Sequence, residues 1–327
     1  MTPLTFQTLR LLADGEFRSG EEMARTLGVT RASVWNALHG LDGAGLEIFK
    51  VRGRGYRLSK PLCWLEQGAI ERALAARAQD FKIELLDVAT STNTLLMERA
   101  AAGAASGSMI AAEWQTGGRG RRGRVWHATP GAALTFSLLW RFQQGAGTLS
   151  GLSLAVGVAL TRALSRLGIT GIGLKWPNDV IWQGCKLAGV LIELQGEANG
   201  PSAAVIGVGI NCCLPDALRD RIDQPVADLA QIAGSGVDRN RLLAILLIEL
   251  AATLGEFARS GFAPLRAEWQ TRHVYQNKPV RLTLPEAGTL DGVAQGVDDN
   301  GAMLIETANG LRRVHSGDVS LRLQRGA

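Results

Sequence analysis

Leu4, Leu9, Leu11 and Leu12 make residues 4–13 a short amphipathic helix, which Gly15 stops. Ser19 and Glu22 stand three apart, the spacing of a capping box, and predict the start of a second helix. Gly28 supplies a tight turn, and Thr30 is placed to cap a third helix over 31–45. Two short helices joined at a glycine-bearing turn predict a helix-turn-helix. Residues 46–58, LEIFKVRGRGYRL, switch pattern: apolar stretches flank Gly53-Arg54-Gly55, which predicts a hairpin. Lys50, Arg52, Arg54, Arg57 and Lys60 carry charge there with no acid among them. Three helices and a basic hairpin predict a winged helix-turn-helix over residues 1–62, with Pro61 at its boundary.

From residue 66 the pattern is mixed α and β. Helices are expected over 92–102, 152–167 and 240–259, and strands over 109–114, 134–140 and 205–211. DVIWQGCKLAGVLIEL reads as a hairpin turning at Gln183-Gly184. This texture runs to residue 273. Beyond it, short strands over 279–284, 290–296, 302–306 and 319–323 alternate with Gly and Asp-Asn turns. They predict a small β barrel over 274–327.

Hydrophobic residues make up 46% of the 327 positions and charged ones 20%, which places the chain among ordinary globular proteins. Cys63, Cys185, Cys212 and Cys213 show neither paired nor zinc-type spacing, so no disulfide framework or zinc site is expected. The first residues are charged too early for a signal peptide, and the apolar run at 242–250 is too short for a bilayer. A cytoplasmic protein without membrane contact is the expectation. The net charge of +5 is compatible with a polyanionic partner.

GGRGRRGRVW, residues 117–126, sets four arginines among glycines, and no acid follows until Asp179. Gly118, Gly120 and Gly123 match GxGxxG, but a loop with Pro130-Gly131 and then a strand follow, where a dinucleotide fingerprint needs a helix and a later acid. An RGG-type nucleic-acid tract belongs in a disordered region, whereas this stretch lies between two strand-like segments. A phosphate-binding lid fits: glycines let the backbone approach an anion, guanidinium forks pair with its oxygens, and Trp126 offers a flat surface for a base. No GxxxxGK[ST] occurs, so the chain is not a P-loop enzyme. KWPND at 175–179 reads by itself as a turn before a strand, and Lys186 in KLAG as a snorkelling lysine. With the arginine loop they form one anion-binding set.

STN at 91–93, QTGGRGRRGRVW at 115–126, KWPND, KLAG and GVGIN at 207–211 occur in the order found in biotin–protein ligases. With the winged helix in front, nearly the whole chain resembles the bifunctional biotin ligase/biotin operon repressors. The resemblance implies a winged helix, a central mixed α/β catalytic domain and a C-terminal SH3-like barrel. It implies that the carboxylate of biotin attacks the α-phosphate of ATP, pyrophosphate leaves, and a lysine of the biotin carboxyl carrier protein then takes biotin from biotinyl-5′-AMP. Lys186, Arg119 and Arg121 would carry catalysis. Ser91, Thr92, Asn93, Gln115, Gly118 and Gly189 would surround biotin, with Arg119, Arg121, Arg122 and Lys186 over its carboxyl. Arg121, Arg122, Trp126, Asn178, Lys186 and Asn211 would hold the nucleotide, and Asp179 would help to place Mg2+. Thr30, Arg31, Ser33, Trp35, Arg52 and Arg54 would meet operator DNA, bound by a homodimer that biotinyl-AMP promotes. A ligase with a non-repressing winged helix and a non-catalytic ligand-sensing transcription factor are the alternatives. Asn36-Ala37 stands where relatives often have a basic residue followed by a polar one, and Cys212-Cys213 has no assigned role.

Overall fold

In a computed structural model the described residues are 1–197, 200–234, 236–284, 288–315 and 320–323. The first module holds α1 (Pro3–Leu11), α2 (Gly20–Leu27) and α3 (Arg31–Leu38), then the hairpin β1 (Ile48–Val51) and β2 (Gly55–Leu58). Local chemistry sets its ends. Thr2 and Thr5 form a reciprocal capping box with Pro3 in the first turn. The Ser19 hydroxyl accepts the Glu22 N–H at 3.0 Å, but the Glu22 carboxylate turns toward Arg18, so the expected box is only half formed. Gly28 takes φ +66 and ends α2. The third helix stops at Leu38, not at 45: Gly40 has φ +78, and a 3-10 turn over Leu41–Ala44 follows. Phe6, Leu9, Met23, Val34 and Leu58 form the module's core, and Trp64 closes it edge-on to Phe6 at 6.1 Å.

The second module holds α4 (Gln67–Leu74), β3 (Lys82–Ala89), α5 (Thr92–Ala101), β4 (Ser108–Gln115), β5 (Ala133–Phe142) and α6 (Leu152–Arg166). Then come β6 (Ile172–Lys175), β7 (Asp179–Trp182), β8 (Cys185–Gly196), β9 (Ser202–Asn211), α7 (Asp216–Arg219), α8 (Leu229–Ala233), α9 (Arg239–Ser260) and α10 (Arg266–Arg272). Seven strands form one sheet in the order β3-β4-β5-β9-β8-β7-β6, with β3 and β4 parallel and the other pairs antiparallel. The helices α6 and α9 cover one face: Val156, Leu160, Leu246 and Leu250 meet Phe136, Leu138 and Leu174, all at most 2% exposed. Truncating Leu250 to Ala would cost about 2–5 kcal/mol there. On the other face, Leu96 and Ala100 of α5 meet Ile110, Leu139 and Val205.

The Glu113–Arg239 ion pair (2.8 Å; 4% and 1% exposed) joins β4 to the start of α9. Glu113 Oε1 also accepts the Leu65 N–H, and Arg239 donates to the carbonyls of Cys63 and Ala133. This network clamps the segment leading out of the winged helix.

The last five strands are β10 (Pro279–Leu284), β11 (Gly288–Val297), β12 (Met303–Thr307), β13 (Gly310–Val314) and β14 (Ser320–Leu323), antiparallel in the order β13-β12-β11-β10-β14. The sequence pattern misses β13, whose five residues include one glycine and two arginines and are largely exposed. Val319, the expected start of the final strand, and residues 324–327 lie outside the described residues. The Trp176 indole donates to the Gly301 carbonyl at 3.1 Å and ties this sheet to the second module. No helix among the described residues is long and apolar enough to cross a membrane.

Candidate functional site

Ser91 caps α5, and its hydroxyl accepts the Thr94 N–H at 3.5 Å. The next residues build a buried polar chain. Gln115 Oε1 accepts the Thr92 N–H at 2.8 Å; the Ser137 hydroxyl lies 2.7 Å from that of Thr92 and donates to Asn93 Oδ1 at 2.6 Å. The Asn93 amide donates to Glu193 (2.8 Å) and to the Leu191 carbonyl. Asn93 thus orders this wall from within, and its polar atoms are spent on protein partners. Arg119 crosses the mouth and pairs with Glu193 at 2.9 Å.

Residues 118–126 fold as a narrow hairpin. The Gly120 N–H donates to the Arg124 carbonyl at 2.7 Å, and the Trp126 N–H to the Gly118 carbonyl at 2.9 Å. Gly118 therefore backs Trp126: a Cβ there would lie 2.6 Å from the Trp126 carbonyl oxygen. Arg122 takes φ +61 at the tip, and Arg121 reaches Asn178 Oδ1 at 3.4 Å. Asn178 donates in turn to the Val190 carbonyl at 2.6 Å. The Trp126 indole lies on the sheet where Gly209 has no side chain; a Cβ there would sit 2.3 Å from the ring. Its N–H is buried and has no partner among the described residues.

Lys186 Nζ lies 2.6 Å from Asp179 Oδ1, with side chains 16% and 14% exposed, and 5.8 Å from the centre of the Trp126 ring. Asp179, the residue expected to help place Mg2+, faces a cation of the protein in this structure. The carboxylate is the counter-charge of Lys186, and no group of three acids, His or Cys that could hold a metal occurs among the described residues. Asn211 is 3% exposed; its amide donates to the carbonyls of Lys186 (3.2 Å) and Ala227 (3.0 Å), which fixes backbone around the lysine.

Three further elements complete the wall; the first belongs by sequence to the anion-binding set, and the other two are unmarked there. Lys175 of KWPND faces the same pocket; burial pushes its ammonium below the usual lysine range, against the pull of Asp179. The segment 222–226 supplies Ile222, Gln224 and Val226. It is strung beside Lys186, whose N–H donates to the Pro225 carbonyl and whose carbonyl accepts the Ala227 N–H. Arg219 and the 3% exposed Asp228 staple its ends together, with Asp228 also accepting the Leu214 N–H at 2.8 Å. Leu321, on β14, closes the pocket from the third module. An acid at an apolar helix start and an arginine nine residues earlier were the only local signals for the staple.

The N-terminal part matches an HTH domain over residues 5–57, the middle the biotin/lipoate A/B protein ligase family over 85–211, and the end the biotin protein ligase C terminal domain over 276–322. The bifunctional ligase/repressor BirA of Escherichia coli K12 is 37% identical over 96% of this chain and 96% of its own length. That of Bacillus subtilis is 31% identical over 94% and 95%. The chain belongs to the biotin–protein ligase family. A biotin protein ligase from Aquifex aeolicus, solved in complex with biotin and ATP, is 30% identical with a TM-score of 0.66, covering 74% of this chain and 99% of that one.

In the winged helix of this ligase, Thr30 and Ser33 are spent on each other. The Thr30 hydroxyl accepts the Ser33 N–H at 3.1 Å and lies 2.9 Å from its hydroxyl. Arg31 and Trp35 are exposed on α3 and Arg52 on the wing. Arg54 is exposed too, with its guanidinium stacked 4.1 Å over Phe17. Ala37 is buried at 8% and so is not a surface residue at all, whereas Asn36 is exposed. All four cysteines are free, and burial pushes the Cys212 thiol up to about 12, the state of an inert core thiol.

Proposed function

We propose that this chain is an ATP-dependent biotin–protein ligase that makes biotinyl-5′-AMP, biotinylates a lysine of the biotin carboxyl carrier protein of acetyl-CoA carboxylase, and represses biotin-synthesis genes through its winged helix. The observation that carries the reading is the meeting of Lys186 with the arginine hairpin over one pocket. A carboxylate approaching a phosphate must overcome like charge, and fixed cations around the reacting atoms lower that barrier. Lys186, with Lys175 beside it, offers an ammonium where the biotin carboxylate meets the α-phosphate. The oxygen–phosphorus bond forms there as the bond to the pyrophosphate breaks. Arg119, Arg121 and Arg122 cover that junction, and Ser91, Thr92 and Gln115 receive the polar edge of the biotin ring. Trp126 and the 222–226 segment flank the nucleotide. In the second step the carrier lysine attacks the acyl carbon and AMP leaves, while the hairpin keeps water from the anhydride.

Magnesium enters as the counter-ion of the ATP phosphates, which would supply most of its oxygen ligands, with the Asp179 carboxylate beside Lys186 at the same junction. The protein works in the cytoplasm. It binds operator DNA as a homodimer, since one winged helix reads only a half-site. Incubation with ATP, biotin and a carrier domain, followed by mass measurement of the carrier, tests the reading. A carrier mass increased by one biotinyl group is expected. An unchanged carrier would favour the ligand-sensing alternative.

A further inference from the structure

We propose that the outward face of α3 reads A·T pairs: the Trp35 indole, held flat by His39, packs on thymine methyl groups, and the Asn36 carboxamide pairs with adenine. The proposal rests on the operator-binding reading above and specifies what is read.

Val34, Ala37 and Leu38 turn inward, which leaves Arg31, Ala32, Trp35, Asn36 and His39 outward. Thr30 and Ser33 have their hydroxyls committed to the helix cap. Trp35 is 42% exposed, a large apolar surface left in water. It is not loose: its ring stacks on that of His39, one turn on, with centres 4.6 Å apart and planes 23° apart. A plate already ordered loses little freedom when it docks.

Charge is divided unequally between helix and wing. The helix carries Arg31 in its first turn and no basic residue in its last. The wing carries Lys50, Arg52 and Arg54, all exposed. Phosphate contacts position a protein without reading sequence, and base edges specify. The wing therefore supplies position, and α3 must specify with the side chains it has. In the major groove, thymine offers a methyl group, which an apolar surface matches. Adenine offers an acceptor beside a donor, which a carboxamide matches in two bonds. Guanine offers two acceptors and calls for Arg or Lys, which past Arg31 this face lacks.

The test uses the full chain with biotin and ATP and a pool of randomised duplexes. Retained duplexes should share a half-site with A·T pairs at adjacent positions. Replacing its thymines one at a time by uracil removes only the methyl group. At one position this should weaken binding about tenfold. Trp35→Ala should become indifferent to that replacement, Trp35→Phe should keep part of the response, and Asn36→Ala should lose the adenine preference. Thermal unfolding like that of the parent chain marks the variants as folded. Trp35→Ala should leave the salt slope unchanged, whereas Arg52→Ala should flatten it by about one unit. Full affinity for an all-uracil half-site, or an unaltered consensus from Trp35→Ala, would overturn the plate and leave DNA binding standing. Retention of no duplex at all would overturn the DNA reading itself.

Discussion

Arg239 and the arginines of residues 117–126 carry the same guanidinium in opposite surroundings. Arg239 is 1% exposed, faces Glu113 and donates to two backbone carbonyls. Arg119, Arg122 and Arg124 stand largely in solvent on a hairpin closed by its own backbone. Burying a charge is tolerable only with a partner and saturated hydrogen bonds, so Arg239 is bound to the fold and removed from chemistry. The hairpin arginines cost the fold little: a pair as exposed as Arg119–Glu193 is weak and can be exchanged for an incoming anion. The comparison teaches that burial separates scaffold cations from working ones more sharply than residue type does.

Breaking the scaffold side should have the largest effect on stability. Glu113→Ala leaves Arg239 unpaired in the interior and should destabilise the protein by about 3–5 kcal/mol in chemical denaturation. On the working side, Lys186→Ala should slow pyrophosphate release on the order of 10²–10³-fold while lowering stability by less than Glu113→Ala does. Pyrophosphate release at the parent rate would remove Lys186 from the chemistry. His273 sharpens the comparison from a third direction, as a buried group kept neutral. It is 5% exposed, stacks on Trp269 at 4.6 Å, and burial holds its pKa down at about 4. The unfolded chain therefore binds a proton below pH about 6.5 that the folded one refuses until pH about 4. Stability should be fully present above that window and fall through it with acid, at most about 1.4 kcal/mol per unit. Urea midpoints across the window should show a shallower acid limb in His273→Gln.

Arg219→Ala opens the staple under the 222–226 wall and should raise KM for ATP about 5- to 30-fold, equivalent to about 1–2 kcal/mol, with KM for biotin less affected. Equal KM values for ATP in variant and parent would make the staple a matter of stability alone. Arg121→Gly should have the smallest effect on the fold. Its expected signature is faster loss of biotinyl-AMP, read as increased labelling of bystander lysines.

Most elements were legible because their signals are local. Gln183 and Gly184 both take positive φ, +47 and +80, as a tight hairpin turn demands, and the apolar spacing of α6 and α9 is strong. The strand β3 carried no such signal: KIELLDVA mixes charge with apolar residues because it is a half-exposed edge. At the site, the motif residues were found but their partners were not. No local signal in the sequence shows that Asp179 faces Lys186. What gives it to Lys186 is the β7–β8 pairing, where a register shift between Val180 and Ile181 sets the two strands. Glu113 meets Arg239 across 126 positions, a relation that no window of sequence contains.

The pocket wall supplied by Leu321 has a consequence in time. Ribosomes deliver the winged helix first, then the arginine hairpin and Lys186, and the last module only afterwards. Modules fold in that order as they emerge. A nascent chain can thus present an ordered DNA-reading helix while its activation site still lacks a side, and Trp176 waits for Gly301. The pocket gains its last wall only when β14 joins the sheet, so the DNA-reading module and the activation site are completed at different times.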